Sequence, residues 1–188
     1  MKVKKKENIW NFPNTLTLIR IIITFSTIYL ILADFDIAII AGFFIFGMVT
    51  DFFDGQIARK FKQETEFGRK FDIIADRFLM ISTVLALILT YQGLSRSEIM
   101  QIFLVMSREI VSFPFALIAF ASRKKIPHAK FIGKLTTFMQ GVAFPAILLS
   151  IKYPIFNFSI YLAYATGFIG IVSAFYYIND LVKGGITK

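Results

Sequence analysis

The sequence predicts an all-α integral membrane protein with six transmembrane helices and a short juxtamembrane helix at the N-terminus. Of the 188 residues, 56% are hydrophobic, and the mean hydropathy is +0.68, which is too apolar for an ordinary soluble domain. Six apolar stretches approach the length of about 20 residues that a helix needs to cross a bilayer. Positive charge alternates between the links that join these stretches. We therefore expect residues 1–188 to form a single membrane domain.

Short links separate the six predicted spans. They cover residues 14–33, 37–60, 68–91, 97–122, 130–151 and 155–181. Pro114 and Pro145 fall inside spans four and five, where membrane helices tolerate proline. No cleavage site follows the first apolar run, so we expect it to be a retained span, not a signal peptide. Residues 2–12 are expected to lie along the membrane surface, anchored by Trp10.

The distribution of lysine and arginine predicts the orientation. Four such residues precede span one, five lie around the link between spans two and three, five around the link between spans four and five, and two follow span six. The other three links hold two Asp, then Arg96 with Glu98, then Lys152. Cytoplasmic links are the positive ones. We therefore expect a multi-pass protein of the cell (inner) membrane with both termini in the cytoplasm. The net charge of +9 then needs no nucleic acid partner.

Four aspartates lie in or beside spans two and three. Asp51 and Asp54 come about 21 and 26 Å along the axis from the outer start of span two. Asp76 and Asp72 come about 23 and 29 Å from the outer end of span three. Asp51 and Asp54 share a helix face through their i,i+3 spacing, and Asp72 and Asp76 do so through their i,i+4 spacing. Because an ionised carboxylate is costly in a bilayer, the four predict a site for divalent metal near the cytoplasmic boundary.

The string that contains these acids is D-x2-D-G-x2-A-R-x8-G-x3-D-x3-D, over residues 51–76. It resembles the signature of the CDP-alcohol phosphotransferases at every fixed position. The stretch Pro13-Asn14-Thr-Leu-Thr17 resembles the start of the phosphatidylglycerophosphate synthase branch. The resemblance implies a homodimeric enzyme that uses two Mg²⁺ or Mn²⁺ ions. Such an enzyme moves a phosphatidyl group from CDP-diacylglycerol to an alcohol at a cytoplasmic site and releases CMP.

The resemblance also implies residue roles. The metal ligands would be Asp51, Asp54, Asp72 and Asp76. The CDP-lipid would be bound by Asn14, Thr17, Gly55, Ala58, Arg59, Thr65 and Gly68. Asp76 would be catalytic and take the proton of the acceptor hydroxyl. Because metal binding makes a carboxylate a weak base, Asp76 needs a free oxygen toward the hydroxyl, or a hydroxyl that the metal acidifies.

The acceptor is less specified. Arg108 in span four and Lys134 at the start of span five are the candidate acceptor-binding cations, with the cluster at residues 123–125 beside them. A local ion pair with Glu109 is another explanation of Arg108, but on a helix Glu109 is expected to point away from Arg108, so the pairing is not automatic. The pair Arg108-Glu109 and the stretch from Gly133-Lys134 to Gln140 resemble the corresponding parts of phosphatidylglycerophosphate synthases. This resemblance favours glycerol 3-phosphate as the acceptor.

Two features keep other acceptors open. Thr136 stands where those synthases usually have a second lysine, and CMP-forming cardiolipin synthases have similar stretches. Arg77 after the last Asp resembles the inositol-phosphate branch.

Three other classes fit less well. A small cation transporter would place its acids near the midplane, whereas here they lie toward one face. Prenyl transferases of the UbiA type usually have more spans and differently placed Asp motifs. His128-Ala-Lys130 begins a phospholipase D signature, but Leu135 replaces its Asp and no second copy exists. We therefore expect His128 to be a loop residue.

Overall fold

The structure, a computed structural model, describes residues 12–61, 66–121 and 131–183. Within these ranges, side chains are described except at residues 12–14, 51–73, 76, 116, 117, 119–121, 182 and 183. The predicted juxtamembrane helix and His128 lie outside the described residues.

The described part of the chain is helical throughout, as predicted. It contains α1 Phe12–Leu32, α2 Ile37–Phe61, α3 Glu66–Thr90, α4 Arg96–Val105, α5 Ser107–Ala121, α6 Phe131–Ser150 and α7 Ser159–Lys183, with a 3₁₀ turn at Pro154–Phe156. The helix ends agree with the predicted spans within a few residues, because long apolar runs and polar links are local features of the sequence.

Three described stretches are long and apolar enough to cross a membrane. They are Thr15–Leu32, Phe131–Ser150 and Pro154–Leu181. Ile37–Thr50 and Arg77–Thr90 are shorter apolar stretches, and residues 51–73 and 76 beside them lie outside the described side chains. The large apolar side chains that face outward, such as Ile22, Leu89 and Phe168, fit a membrane protein.

The fourth predicted span is wrong as a single helix, since it is divided at Met106 into α4 and α5. The Met106 N–H still donates to the Ile102 carbonyl, and the Ile110 N–H donates to the Met106 carbonyl, each at 2.9 Å. At this point the Val105 carbonyl accepts a hydrogen bond of 2.9 Å from the Gln140 side chain of α6. A hydrogen bond from α6 therefore coincides with the interruption between α4 and α5. At its other end, α4 begins with a capping box formed by Ser95 and Glu98.

The helices pack in two groups that share one core. Helix α1 packs against α2 and α3, while α7 packs against α4, α5 and α6. Contact between α2 and α6 joins the groups, with the rings of Phe44 and Phe144 4.6 Å apart and both side chains fully buried. The core thus lies where the first three helices meet the last four.

The link between α1 and α2 is short and well ordered by local contacts. Asp34 adopts a φ of 53°, in the left-handed region that Asp tolerates better than most residues. Asp36 then accepts a hydrogen bond of 2.9 Å from the Ala38 N–H, which caps the beginning of α2. These contacts turn the chain back so that α1 and α2 form an antiparallel hairpin.

Candidate functional site

Helices α1, α2 and α3 meet at Gly47. A Cβ atom placed on Gly47 would lie 3.0 Å from a Leu79 methyl carbon and 3.3 Å from Ile23 Cγ2. The missing side chain therefore allows the three helices to approach closely. Gly47 lies 14 residues before the end of α2, and Leu79 lies 13 residues after the beginning of α3, as in an antiparallel hairpin.

The four predicted metal ligands all fall on these two helices, Asp51 and Asp54 in α2 and Asp72 and Asp76 in α3. Asp51 follows Gly47 by one turn, and Asp76 precedes Leu79 by one turn. Since the helices are antiparallel, both positions lie about 5 Å along the axis on the same side of the contact. Asp54 and Asp72 are each seven residues from it, or about 10 Å.

The matched depth of the four positions thus follows from helix packing as well as from the sequence. Their side chains lie outside those that the structure describes. Among the described side chains, no group of three His, Cys, Asp or Glu could hold a metal ion. The metal centre stays a prediction.

The predicted CDP-lipid residues that the structure describes lie at the same end of the molecule. Thr17 is buried in α1. Asn14, Gly55, Ala58, Arg59 and Gly68 lie in α1, α2 and α3, without described side chains, and Thr65 falls outside the described residues.

The sequence analysis predicted a role for Thr17 but missed the rest of a polar stripe on α1. Thr17, Arg20, Thr24 and Thr27 are all buried, and their spacing places them on one face of the helix. Arg20 has no exposed surface and precedes Ile23 by three residues. Counted along the helix axis from the Gly47 contact, Arg20 lies at the level of Asp51 and Asp76. An arginine inside an apolar span is by itself a sign of function, so the sequence did contain this signal.

The two predicted acceptor-binding cations are brought to adjacent turns of the α5–α6 interface. Arg108 Nη1 donates a hydrogen bond of 2.8 Å to Thr137 Oγ1, and Lys134 lies one turn before Thr137. Lys134 is exposed, whereas the Arg108 side chain is only 15% exposed.

The expectation that Glu109 points away from Arg108 is wrong. Arg108 Nη1 lies 3.9 Å from Glu109 Oε1, because both side chains reach toward α6. The Gln140 amide of α6 donates to Glu109 Oε2 as well as to the Val105 carbonyl. Glu109 and Gln140 are 5% and 2% exposed, so this network is buried and joins α6 to the α4–α5 junction.

Arg77 connects the acid-bearing helix to this cluster. It follows Asp76 directly, is 7% exposed, and donates a hydrogen bond of 3.2 Å to Ser112 Oγ of α5. Its guanidinium carbon lies 5.9 Å from the centre of the Phe113 ring and 5.6 Å from that of Tyr177, within the range of cation–π attraction. The aspartate positions and the Arg108 cluster are therefore neighbouring parts of one region.

Comparison with known proteins identifies a family and several relatives. The family model described as CDP-alcohol phosphatidyltransferase matches residues 10–173. A protein of Rickettsia typhi named CDP-diacylglycerol–glycerol-3-phosphate 3-phosphatidyltransferase is 31% identical over 76% of this chain and 78% of its own. A Bacillus subtilis protein of the same name is 30% identical over 74% of this chain and 77% of its own. A Streptomyces coelicolor cardiolipin synthase (CMP-forming) is 33% identical over 54% of this chain and 46% of its own.

Proposed function

Because the chain belongs to the CDP-alcohol phosphatidyltransferase family, we propose that it transfers a phosphatidyl group from CDP-diacylglycerol to glycerol 3-phosphate and releases CMP. The observation that carries this proposal is the packing at Gly47, which puts two aspartate positions of α2 level with two of α3. The transferase class follows from the family, and the relatives with most of their length matched carry the glycerol-3-phosphate name.

The donor set fits a pair of hard divalent cations, since four carboxylates on two neighbouring helices supply oxygen ligands. Asp51, Asp54, Asp72 and Asp76 would hold two Mg²⁺ or Mn²⁺ ions, which neutralise the diphosphate and make CMP a better leaving group. Arg59 would offer a planar fork to phosphate oxygens.

The reaction is then a displacement at phosphorus. The acceptor hydroxyl oxygen forms a bond to the phosphorus of the phosphatidyl group, and the bond from that phosphorus to the oxygen of CMP breaks. The hydroxyl proton goes to Asp76, and the bonding electrons leave with CMP. No covalent enzyme intermediate is required.

Arg108 and Lys134 would bind the phosphate of the acceptor. Their positions on neighbouring turns of α5 and α6 favour an acceptor that carries its own negative charge. We extend the proposal to a homodimer with six spans, in which α4 and α5 together form the fourth, and with both termini and the site on the cytoplasmic side. The positive links support this orientation.

The second candidate is CMP-forming cardiolipin synthesis, with phosphatidylglycerol as acceptor. One observation favours it: Thr136 is fully buried and bonds the Ile132 carbonyl at 2.8 Å, so this position offers the acceptor no cation. Inositol phosphate is a third acceptor to include in the test.

A panel of acceptors separates these functions. Purified protein is incubated with CDP-diacylglycerol, Mn²⁺ or Mg²⁺ and one acceptor at a time, and the lipid product is identified by mass spectrometry. We expect CMP and phosphatidylglycerophosphate with glycerol 3-phosphate. Cardiolipin from phosphatidylglycerol alone would favour the second candidate, and metal flux into liposomes without any CMP would favour a transporter.

Asp72→Asn tests the metal centre. It removes the charge of one ligand with little change in size, so we expect turnover to fall at least a hundredfold while the thermal stability of the metal-free protein is kept. Asp34→Asn, at an exposed position in the α1–α2 link, is the control with the same chemical change. Near-normal turnover of Asp72→Asn would refute the metal role.

A further inference from the structure

The hydroxyl of Tyr177 lies in the region between α3, α5 and α7. Together with those of Thr83 and Thr166, it is a buried hydroxyl oxygen with no hydrogen-bond partner among the residues that the structure describes. Burying a hydroxyl without a partner is unfavourable. Phenylalanine would fill the same space without this cost, so packing alone does not account for the hydroxyl.

Two arginines lie near the Tyr177 side chain. The Arg77 guanidinium carbon is 5.6 Å from the centre of the Tyr177 ring, and Arg108, in the first turn of α5, packs against α7 at Gly170. Tyr177 therefore faces positive charge from two helices, α3 and α5.

Close packing of α7 against α5 holds Tyr177 near the beginning of α5. A Cβ on Gly170 would lie 2.9 Å from Ser107 Oγ and 3.4 Å from Arg108 Cβ. Tyr177 follows Gly170 by seven residues, which places both on one face of α7. The face that carries Tyr177 is thus the face that packs against the beginning of α5.

Glu109 is a further charged group in this cluster. It lies 3.9 Å from Arg108 but also accepts the Gln140 amide. Arg77 donates to Ser112 and Arg108 to Thr137, and a guanidinium group has five N–H donors. Arg108 can therefore keep its described hydrogen bond to Thr137 while it donates to a bound anion.

We propose that Tyr177 is a specificity-determining residue that donates its hydroxyl hydrogen bond to the phosphate of the acceptor, between Arg77 and Arg108. The inference rests on the proposed function and extends the acceptor site from α5 and α6 to α3 and α7. Donors from three directions suit the three terminal oxygens and double charge of a phosphate monoester. A phosphodiester offers two such oxygens and a single charge, so Tyr177 favours acceptors of the glycerol 3-phosphate class.

Tyr177→Phe tests this role, because it removes one oxygen that has no described protein partner. We expect the KM for glycerol 3-phosphate to rise about tenfold or more, as for a hydrogen bond to a charged group. The KM for CDP-diacylglycerol should stay the same, and the melting temperature without acceptor should stay the same or rise. Tyr164→Phe is the matched control, since Tyr164 lies on the same helix and is 52% exposed; it should change none of these values.

A binding measurement keeps the inference separate from the proposed function. Glycerol 3-phosphate is added to the metal-loaded protein, and the rise in melting temperature is compared between wild type and Tyr177→Phe, with glycerophosphoglycerol as the diester probe. We expect the variant to lose most of the rise with the monoester and little of any rise with the diester. An unchanged KM or equal protection of both proteins by glycerol 3-phosphate would overturn the role of Tyr177, while product formation by wild type would leave the proposed function standing. If wild type forms no product, the proposed function fails, and the binding comparison alone decides on Tyr177.

Discussion

The Asp36–Lys152 pair and the Glu109–Gln140 pair both join distant parts of the chain, but they lie in opposite environments. Asp36 and Lys152 connect the α1–α2 link to the α6–α7 link, with side chains 38% and 50% exposed. Glu109 and Gln140 are nearly fully buried between α5 and α6. Exposed ion pairs contribute little to stability, whereas a buried charge that loses its partner is strongly destabilising. The buried pair therefore holds a carboxylate in place beside Arg108. The exposed pair adds only a weak connection between two links.

Glu109→Ala should produce the largest loss of stability. It leaves Arg108 and the Gln140 amide without their acidic neighbour in the core, so we expect the free energy of unfolding to fall by about 3 kcal/mol. Thermal unfolding in detergent measures the change. Glu109→Gln keeps an acceptor oxygen for Gln140 and should recover part of the loss. A Glu109→Ala protein as stable as wild type would show that this network is not important for stability.

Gln140→Leu should have an intermediate effect. The amide donates both to Glu109 and to the Val105 carbonyl, and leucine fills a similar volume without donating. We expect a loss of about 1–3 kcal/mol in the same unfolding experiment. Gln92→Leu is a suitable control because Gln92 is exposed in the α3–α4 link. Equal melting temperatures for the two variants would contradict a role of Gln140 at the α4–α5 junction.

Asp36→Asn should have the smallest effect. It removes one partner of an exposed pair, so we expect a slight fall in melting temperature at low salt that disappears at high salt. Turnover should not change. A fall as large as that of Glu109→Ala would remove the distinction between the two regions.

The small contribution of the Asp36–Lys152 pair to stability should depend on pH. The hydrogen bond from Lys152, followed by that from the Ala38 N–H, lowers the pKa of Asp36. Its contribution is therefore present at neutral pH and lost as pH falls through this lowered pKa. The hydrogen bond to Asp36 raises the pKa of Lys152, so its contribution is lost as pH rises through that raised pKa. Wild type and Asp36→Asn should differ most between these limits, which melting curves over a pH series can check.

Sequence reasoning succeeded where the controlling interactions are local. The apolar stretch 130–151 predicted α6, which the structure places at Phe131–Ser150, because helix length and polar ends are read within one segment. It failed where partners are distant in sequence. The division at Met106 coincides with a hydrogen bond between residues 35 apart, and the orientation of Glu109 depends on Gln140, 31 residues away. Tyr177 gave no local signal, since tyrosine in an apolar helix is common. Arg20 did give one, because a charged residue interrupts the first apolar span.

Gly47 has a consequence for the apolar layer beside the proposed metal centre. A Cβ atom at this position would lie 3.0 Å from a Leu79 methyl carbon and 3.3 Å from Ile23 Cγ2, so alanine would require these side-chain ends to move by a few tenths of an ångström. Asp51 and Asp76 each lie one turn from this contact. The disturbance would therefore arise next to the two acid-bearing turns, although neither aspartate is changed.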